Sequence, residues 1–213
     1  MTTITLKIKD IKAVSHAMAK GDIRYYLNGM LVEHNGIETR LAATDGHRLH
    51  LVRIEHASEF VSEPVKYIVP RDFVAQLLKT KFSKYAIKQF TLTFSDMKVS
   101  AALPNGDEII SKLIDGTFPD YCRVIPRSLS GEYSYLNPEY QLDAVNGLID
   151  YSENKTIAVR IKHNGEGAAV LAYKNYLAVI MPVRSESAPV SDNPDTVWTS
   201  SLAGPELPAK ATA

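Results

Sequence analysis

The chain carries one cysteine, Cys122, in 213 residues. A single thiol rules out a disulfide framework within the chain and suits a reducing, cytoplasmic setting. No apolar run reaches the roughly 18 residues that a membrane-spanning helix needs. The N-terminal MTTITLKIKD has no apolar stretch of the signal-peptide kind. Net charge is missing as well: 24 basic and 24 acidic residues sum to +0, which argues against binding nucleic acid by bulk charge. No P-loop, G-x-G-x-x-G or G-x-S-x-G occurs. The six histidines, His16, His34, His47, His50, His56 and His163, form no H-x-x-x-H pattern, so no metal site is expected. The densest polar cluster, Thr44-Asp45-Gly46-His47-Arg48, reads as a turn between strands with His and Arg displayed beside it, not as an acid–base pair. Cys122 has no base to activate it and reads as an ordinary thiol. No catalytic residue and no cofactor is singled out by these patterns.

What the sequence does contain is a repeat. Apolar residues make up 45% and charged residues 23%, enough to build a packed core. The segment Ile4 to Ile8 is strand-like, and Ile11, Val14 and Met18 mark one face of a helix ending near Lys20-Gly21. Strands over Arg24–Glu33, Thr39–Ala43 and Leu49–Ile54 follow, with a turn at Asn35-Gly36. The same order returns: strand Val65–Val69, helix Pro70–Lys79 opened by proline, then strands Ile87–Phe94, Met97–Leu103 and Glu108–Leu113. It returns a third time: strand Glu132–Leu136, a helix opened by Asn137-Pro138, then strands Ile157–Lys162, Ala168–Tyr173 and Leu177–Val183. Antiparallel sheets backed by helices make the expected fold α+β. Two units make one domain, residues 1–127. Residues 128–184 then make half a domain, and 185–213, rich in Ser, Pro and Ala, reads as a disordered tail. Trp198 is its one candidate docking anchor.

Charge is unevenly spread. Residues 1–127 hold 18 basic and 14 acidic residues, and the remainder holds 6 and 10. Lys9, Lys12, His16 and Lys20 form a basic stripe opposite the apolar face of the first helix. Arg71, Lys79, Lys81, Lys84 and Lys88 lie on or just after the second. The third helix presents Glu139, Asp143 and Asp150, read as an acidic outer face. Basic helices in adjacent units point to phosphate-backbone contact, with Lys9, Lys12, Arg71 and Lys79 as candidates. The orphan third unit, with Leu142, Val145 and Leu148 on one helix face, is expected to leave that face bare, so that two copies pair there.

Asp22 to Gly29, Ala43-Thr-Asp-Gly-His-Arg-Leu49, Ile68-Val-Pro-Arg71, Leu113 to Pro126 and Val179-Ile-Met-Pro-Val-Arg184 together resemble the bacterial DNA polymerase III beta sliding-clamp family. The resemblance spans residues 4–184. It implies a DNA-clamp fold of repeated helix-plus-sheet units, a ring around duplex DNA, and a processivity role in DNA replication without catalysis. It matches the family's middle domain and the later half of its third. It implies a pocket for short peptide motifs of partners such as a DNA polymerase and clamp loader, at Leu27, Thr44, Gly46, His47, Arg48, Leu49, Pro119, Arg123, Val124, Val179, Met181, Pro182, Val183 and Arg184. It also implies DNA contact at Lys20, Arg24, Tyr25 and Tyr26. The partners expected are thus double-stranded DNA, peptide-motif proteins and further copies of the chain. The alternative reading is a non-encircling peptide-binding module that regulates or competes for clamp partners.

Overall fold

A computed structural model describes residues 1–57, 63–83, 88–184 and 186. Lys84, Ile87, Ser185 and the tail beyond Glu186, including Trp198, lie outside the described residues.

The first unit comprises β1 (Thr2–Lys7), α1 (Ile8–Ser15), β2 (Gly29–His34), β3 (Glu38–Thr44) and β4 (Arg48–Glu55). The second comprises β5 (Val65–Pro70), α2 (Arg71–Lys79), β6 (Gln89–Ser95), β7 (Lys98–Ala102) and β8 (Glu108–Lys112). The third supplies α3 (Pro138–Ser152), β9 (Ala169–Tyr173) and β10 (Tyr176–Ile180). The strands form two antiparallel sheets in the orders β1-β6-β7-β8 and β5-β2-β3-β4-β10-β9. The first two units exchange their opening strands. β1 pairs with β6 of the second unit, and β5 pairs with β2 of the first. Neither unit can close its sheet alone, so the pair folds as one body.

Burial follows the period of each element. Ile4 and Leu6 of β1, with Phe90, Leu92 and Phe94 of β6, alternate inward. They meet Ile11 and Val14 of α1 and Phe73, Val74 and Leu77 of α2 in the main core. Removing one such side chain from water is worth roughly 1.5–3 kcal/mol. α1 is shorter than its pattern predicts. It stops at Ser15, although Ala17, Met18 and Ala19 remain buried. Past that end the Arg71 guanidinium holds the non-helical segment, Nη1 donating to the carbonyls of Met18 at 2.6 Å and Ala19 at 3.0 Å.

Four further expectations change. Arg24–Glu33 is not one strand, because Tyr25–Leu27 forms a 3-10 turn first. Asn28 sets that turn, accepting from the Asp22 N–H at 2.9 Å and donating to its carbonyl at 2.8 Å. Segments 132–136 and 157–162 are not strands, apart from one bridge joining Lys162 to Val170. The third unit also does not leave its helix bare. α3 packs on α1, Leu148 is buried in the main core, and Val145 is partly covered; only the side chain of Leu142, of the three, is well exposed. Gly147 permits this approach, since a Cβ there would lie 2.3 Å from Tyr176 Oη and 2.9 Å from the Ala13 carbonyl. Nor is the acidic face outward. Asp150 turns toward Lys12 of α1 and His16 at its end, Asp143 turns toward Arg48 of β4, and Glu139 stays exposed.

A second, smaller core covers the opposite face of the six-stranded sheet. Leu31, Ala42, Leu49, Ile68 and Val179 point there and are capped by Ile114, Phe118, Tyr121 and Ile125 of the connecting segment. That segment is the floor of the site described next.

Candidate peptide-binding groove

The turn between β3 and β4 is held by its own side chains. Asp45 Oδ1 accepts from the N–H groups of His47 at 2.9 Å and Arg48 at 3.1 Å. Thr44 Oγ1 donates to the Arg48 carbonyl at 2.6 Å and accepts from the Gly46 N–H at 3.0 Å. Gly46 sits at φ +93°, and a Cβ there would meet Arg24 Nη1 at 2.8 Å. Glycine therefore both permits the left-handed turn and leaves room for Arg24. The Arg24 guanidinium forks onto Asp22, with Nη2 reaching Oδ2 at 2.7 Å, and also donates to the Asp45 carbonyl at 2.9 Å. Its hydrogen bonds hold the Asp22 carboxyl down at about 2.

Beside this turn lies a cavity of about 180 Å³. Leu27, Thr44, Gly46, Arg48 and Leu49 line one wall. Pro119 and Val124 of the connecting segment and Val179 and Met181 of the third unit complete it. Val124 and Met181 are 44% and 40% exposed, so two apolar side chains stand at the mouth, open to a ligand. The seam of the sheet runs beneath: Val179 of β10 lies opposite Leu49 of β4, and the Met181 N–H donates to the His47 carbonyl at 2.8 Å. Tyr121 locks the floor, its hydroxyl donating to Glu33 Oε2 at 2.6 Å. Burial and that bond push the Tyr121 hydroxyl well above its ordinary range.

The remaining expected residues stand around this cavity. Pro182, Val183 and Arg184 line a neighbouring groove with Tyr133 and Tyr135, which Met181 shares. His47 turns the other way and stacks on Tyr140 of α3, with ring centroids 6.1 Å apart. Arg123 is exposed beside Val124. Sequence reasoning missed Asp120 and Tyr121, and it assigned Arg24 and Tyr26 to DNA although both line this cavity. The Tyr121–Glu33 pairing carries no local sequence signal, since 88 positions separate the two.

Arg48 ties the groove to the third unit, pairing with Asp45 at 3.1 Å and with Asp143, and lying 4.5 Å over the Tyr140 ring. The basic residues of α1 face the same helix. Lys9 pairs with Glu153 at 3.3 Å and Lys12 with Asp150 at 2.7 Å. His16 reaches Asp150 at 2.7 Å. Arg71 is occupied by main-chain carbonyls. Lys20 and Lys79 are exposed and join no ion pair among the described residues. Tyr26 packs on the smaller core, whereas Tyr25 is exposed and meets it edge to face at 5.7 Å.

The family model described as DNA polymerase III beta subunit, central domain, matches residues 4–120. The chain belongs to the DNA polymerase III beta subunit family. Its α+β architecture is that of sliding-clamp structures. It is 38% identical over 135 residues to the beta sliding clamp of Escherichia coli strain K12, covering 63% of this chain and 33% of that protein. A second beta sliding clamp, from Haemophilus influenzae, is 31% identical over 158 residues, covering 72% and 41%. The DNA polymerase sliding clamp of Bacillus subtilis superposes with a TM-score of 0.69 at 16% identity, over 86% of this chain and 64% of that one. The match spans only 33% and 41% of the length of these two curated relatives.

Proposed function

We propose that the chain is a sliding-clamp-like processivity factor in DNA replication that holds short peptide motifs of partner proteins. The observation that carries this reading is the groove at the seam of β4 and β10, with apolar walls open at Met181 and Val124. Residues 1–127 act as a two-unit clamp domain, and 128–184 act as the later half of a following one. A peptide inserts apolar anchors against Leu27, Leu49, Val179 and Met181, and the polar rim of Arg24, Thr44 and Arg48 fixes its main chain. Two or three anchors at roughly 1.5–3 kcal/mol each, less the cost of ordering a free peptide, put the affinity near micromolar. No catalytic step of its own belongs to this role. The test is titration of a labelled peptide bearing adjacent apolar anchors. Met181→Ala should weaken it about tenfold, a loss of about 1.4 kcal/mol. His47→Ala, stacked on Tyr140, should change it less. Equal affinity for wild type and Met181→Ala would sink the assignment.

A second reading, a peptide binder that does not encircle DNA, draws on the ion pairs of Lys9 and Lys12. These charges are neutralised within the chain and are less available to phosphate. Retention on circular against linearised DNA separates the two. A ring slides off the linear form alone, and equal, salt-sensitive loss from both favours the open module.

A further inference from the structure

Each unit of the fold ends on a strand: β4, β8 and β10. The outer side of β4 is filled, because β10 runs antiparallel along it, with Ala178 opposite His50. The last strand of one unit thus receives the last strand of another. β8 holds the same place in the second unit, yet it ends its sheet. Among the described residues no strand pairs with one row of its N–H and C=O groups, which makes a ready template for another strand.

The β8 sequence is self-complementary. It reads Glu108-Ile109-Ile110-Ser111-Lys112. Laid antiparallel to itself about Ile110, it sets Glu108 against Lys112 of the second copy, Lys112 against the second Glu108, and Ile110 against Ile110. These three share one face of the strand, and it is the exposed one. Ile110, at the centre, is 61% exposed. Charges on an edge strand ordinarily blunt it by repulsion; here their order converts repulsion to attraction for one partner, the same strand reversed. Lys112 also lies opposite Lys98 of β7, and none of Lys98, Glu108 and Lys112 joins an ion pair among the described residues. A second Glu108 would sit beside that lysine pair.

We propose that the open side of β8 is a self-association edge: two copies pair their β8 strands antiparallel about a two-fold axis at Ile110, merging two four-stranded sheets into one. The surface is separate from the peptide groove, which no β8 residue lines, so it stands or falls independently of the peptide-binding reading.

Sedimentation of the 213-residue chain across micromolar concentrations should show a monomer–dimer equilibrium. Glu108→Lys places lysine against lysine at both symmetric pairs and should weaken the dimer on the order of tenfold. Lys112→Glu should do the same with carboxylates. Mixing these two variants in equal amounts should restore dimerisation as a heterodimer, because every cross-strand pair is then of opposite charge. Unchanged circular dichroism and melting temperature show that each variant is folded. A wild-type chain that stays monomeric, a dimer indifferent to both substitutions, or a mixture that fails to associate would each overturn the proposal.

Discussion

The first two units are complete, strand, helix and three strands, whereas the third keeps only a helix and two strands, and the two regions are held by different forces. The first two exchange opening strands and bury Ile11, Val14, Phe73 and Leu77 in one apolar core. The third lends two strands to the edge of β4 and lays α3 on α1. Its seam carries Leu148 and Ala144, but also Arg48–Asp143, His16–Asp150, Lys12–Asp150 and Lys9–Glu153. Apolar burial is nondirectional and supplies most of the stability, whereas ion pairs contribute little net energy and fix register. The candidate groove sits where the two regimes meet, so it depends on the more weakly held of them.

The largest effect should come from forcing the seam open. Gly147→Val adds atoms where even a Cβ would lie 2.3 Å from Tyr176 Oη and 2.9 Å from a main-chain oxygen of α1. The backbone cannot yield, so overpacking of about 3 kcal/mol is expected, together with loss of the Tyr176 bond to the Ala144 carbonyl, now 3.0 Å. Hydrogen exchange should show β9 and β10 losing protection while β6 and β7 keep theirs, and peptide binding should fail. Uniform loss across both sheets would mean that the third unit is as tightly coupled as the first two.

The same contrast decides what could be read from the sequence. Helix periodicity and the Asn35-Gly36 turn place most elements of the first two units, because every strand there finds a partner within that pair of units. Ile157 to Lys162 has strand composition but gains no ladder beyond the bridge at Lys162; β-propensity expresses fit to a neighbouring strand and has no force without one. The α3 acids look like a solvated face until α1 is set beside them, for periodicity names a face but not what it meets. The groove residues Leu27, Leu49 and Val179 look like core in isolation, and they are nearly that. What makes them the wall of a cavity rather than plain core is the position of segment 114–125, which brings Pro119 and Val124 to its mouth and is tied down by the distant bond from Tyr121 to Glu33.

A middle-sized effect should appear with acid. His50 of β4 is fully buried beneath the seam, with Nδ1 3.0 Å from the Ala13 carbonyl and 3.3 Å from Tyr176 Oη. Burial pushes its pKa down to about 4, and the His16 ring 6.5 Å away belongs to the same cluster. The folded state therefore resists a proton that the unfolded chain accepts below about 6.5. The stabilisation is complete above that pH and is lost as pH falls from about 6.5 toward 4. By pH 5 the loss is about 2 kcal/mol. Denaturant midpoints of wild type and His50→Gln, measured from pH 8 to pH 5, should converge as the pH drops. Parallel curves would remove His50 as the source.

The smallest effect separates two lysines of the first unit. Lys12 is half-exposed and paired with Asp150 at 2.7 Å, a contact worth about 0.5 kcal/mol after solvent screening. Lys20 is exposed, shortly before the exposed Ile23 and Tyr25 in sequence, and joins no ion pair among the described residues. If Lys20 meets phosphate and Lys12 serves the seam, the two alanine variants should part company in different assays. Lys20→Ala should leave stability unchanged and flatten the slope of log K against log salt for duplex DNA by about 0.9. Lys12→Ala should leave that slope alone and lower the denaturant midpoint slightly. Equal salt slopes for both variants would place α1 itself against the DNA, with the Lys12–Asp150 pair broken on binding.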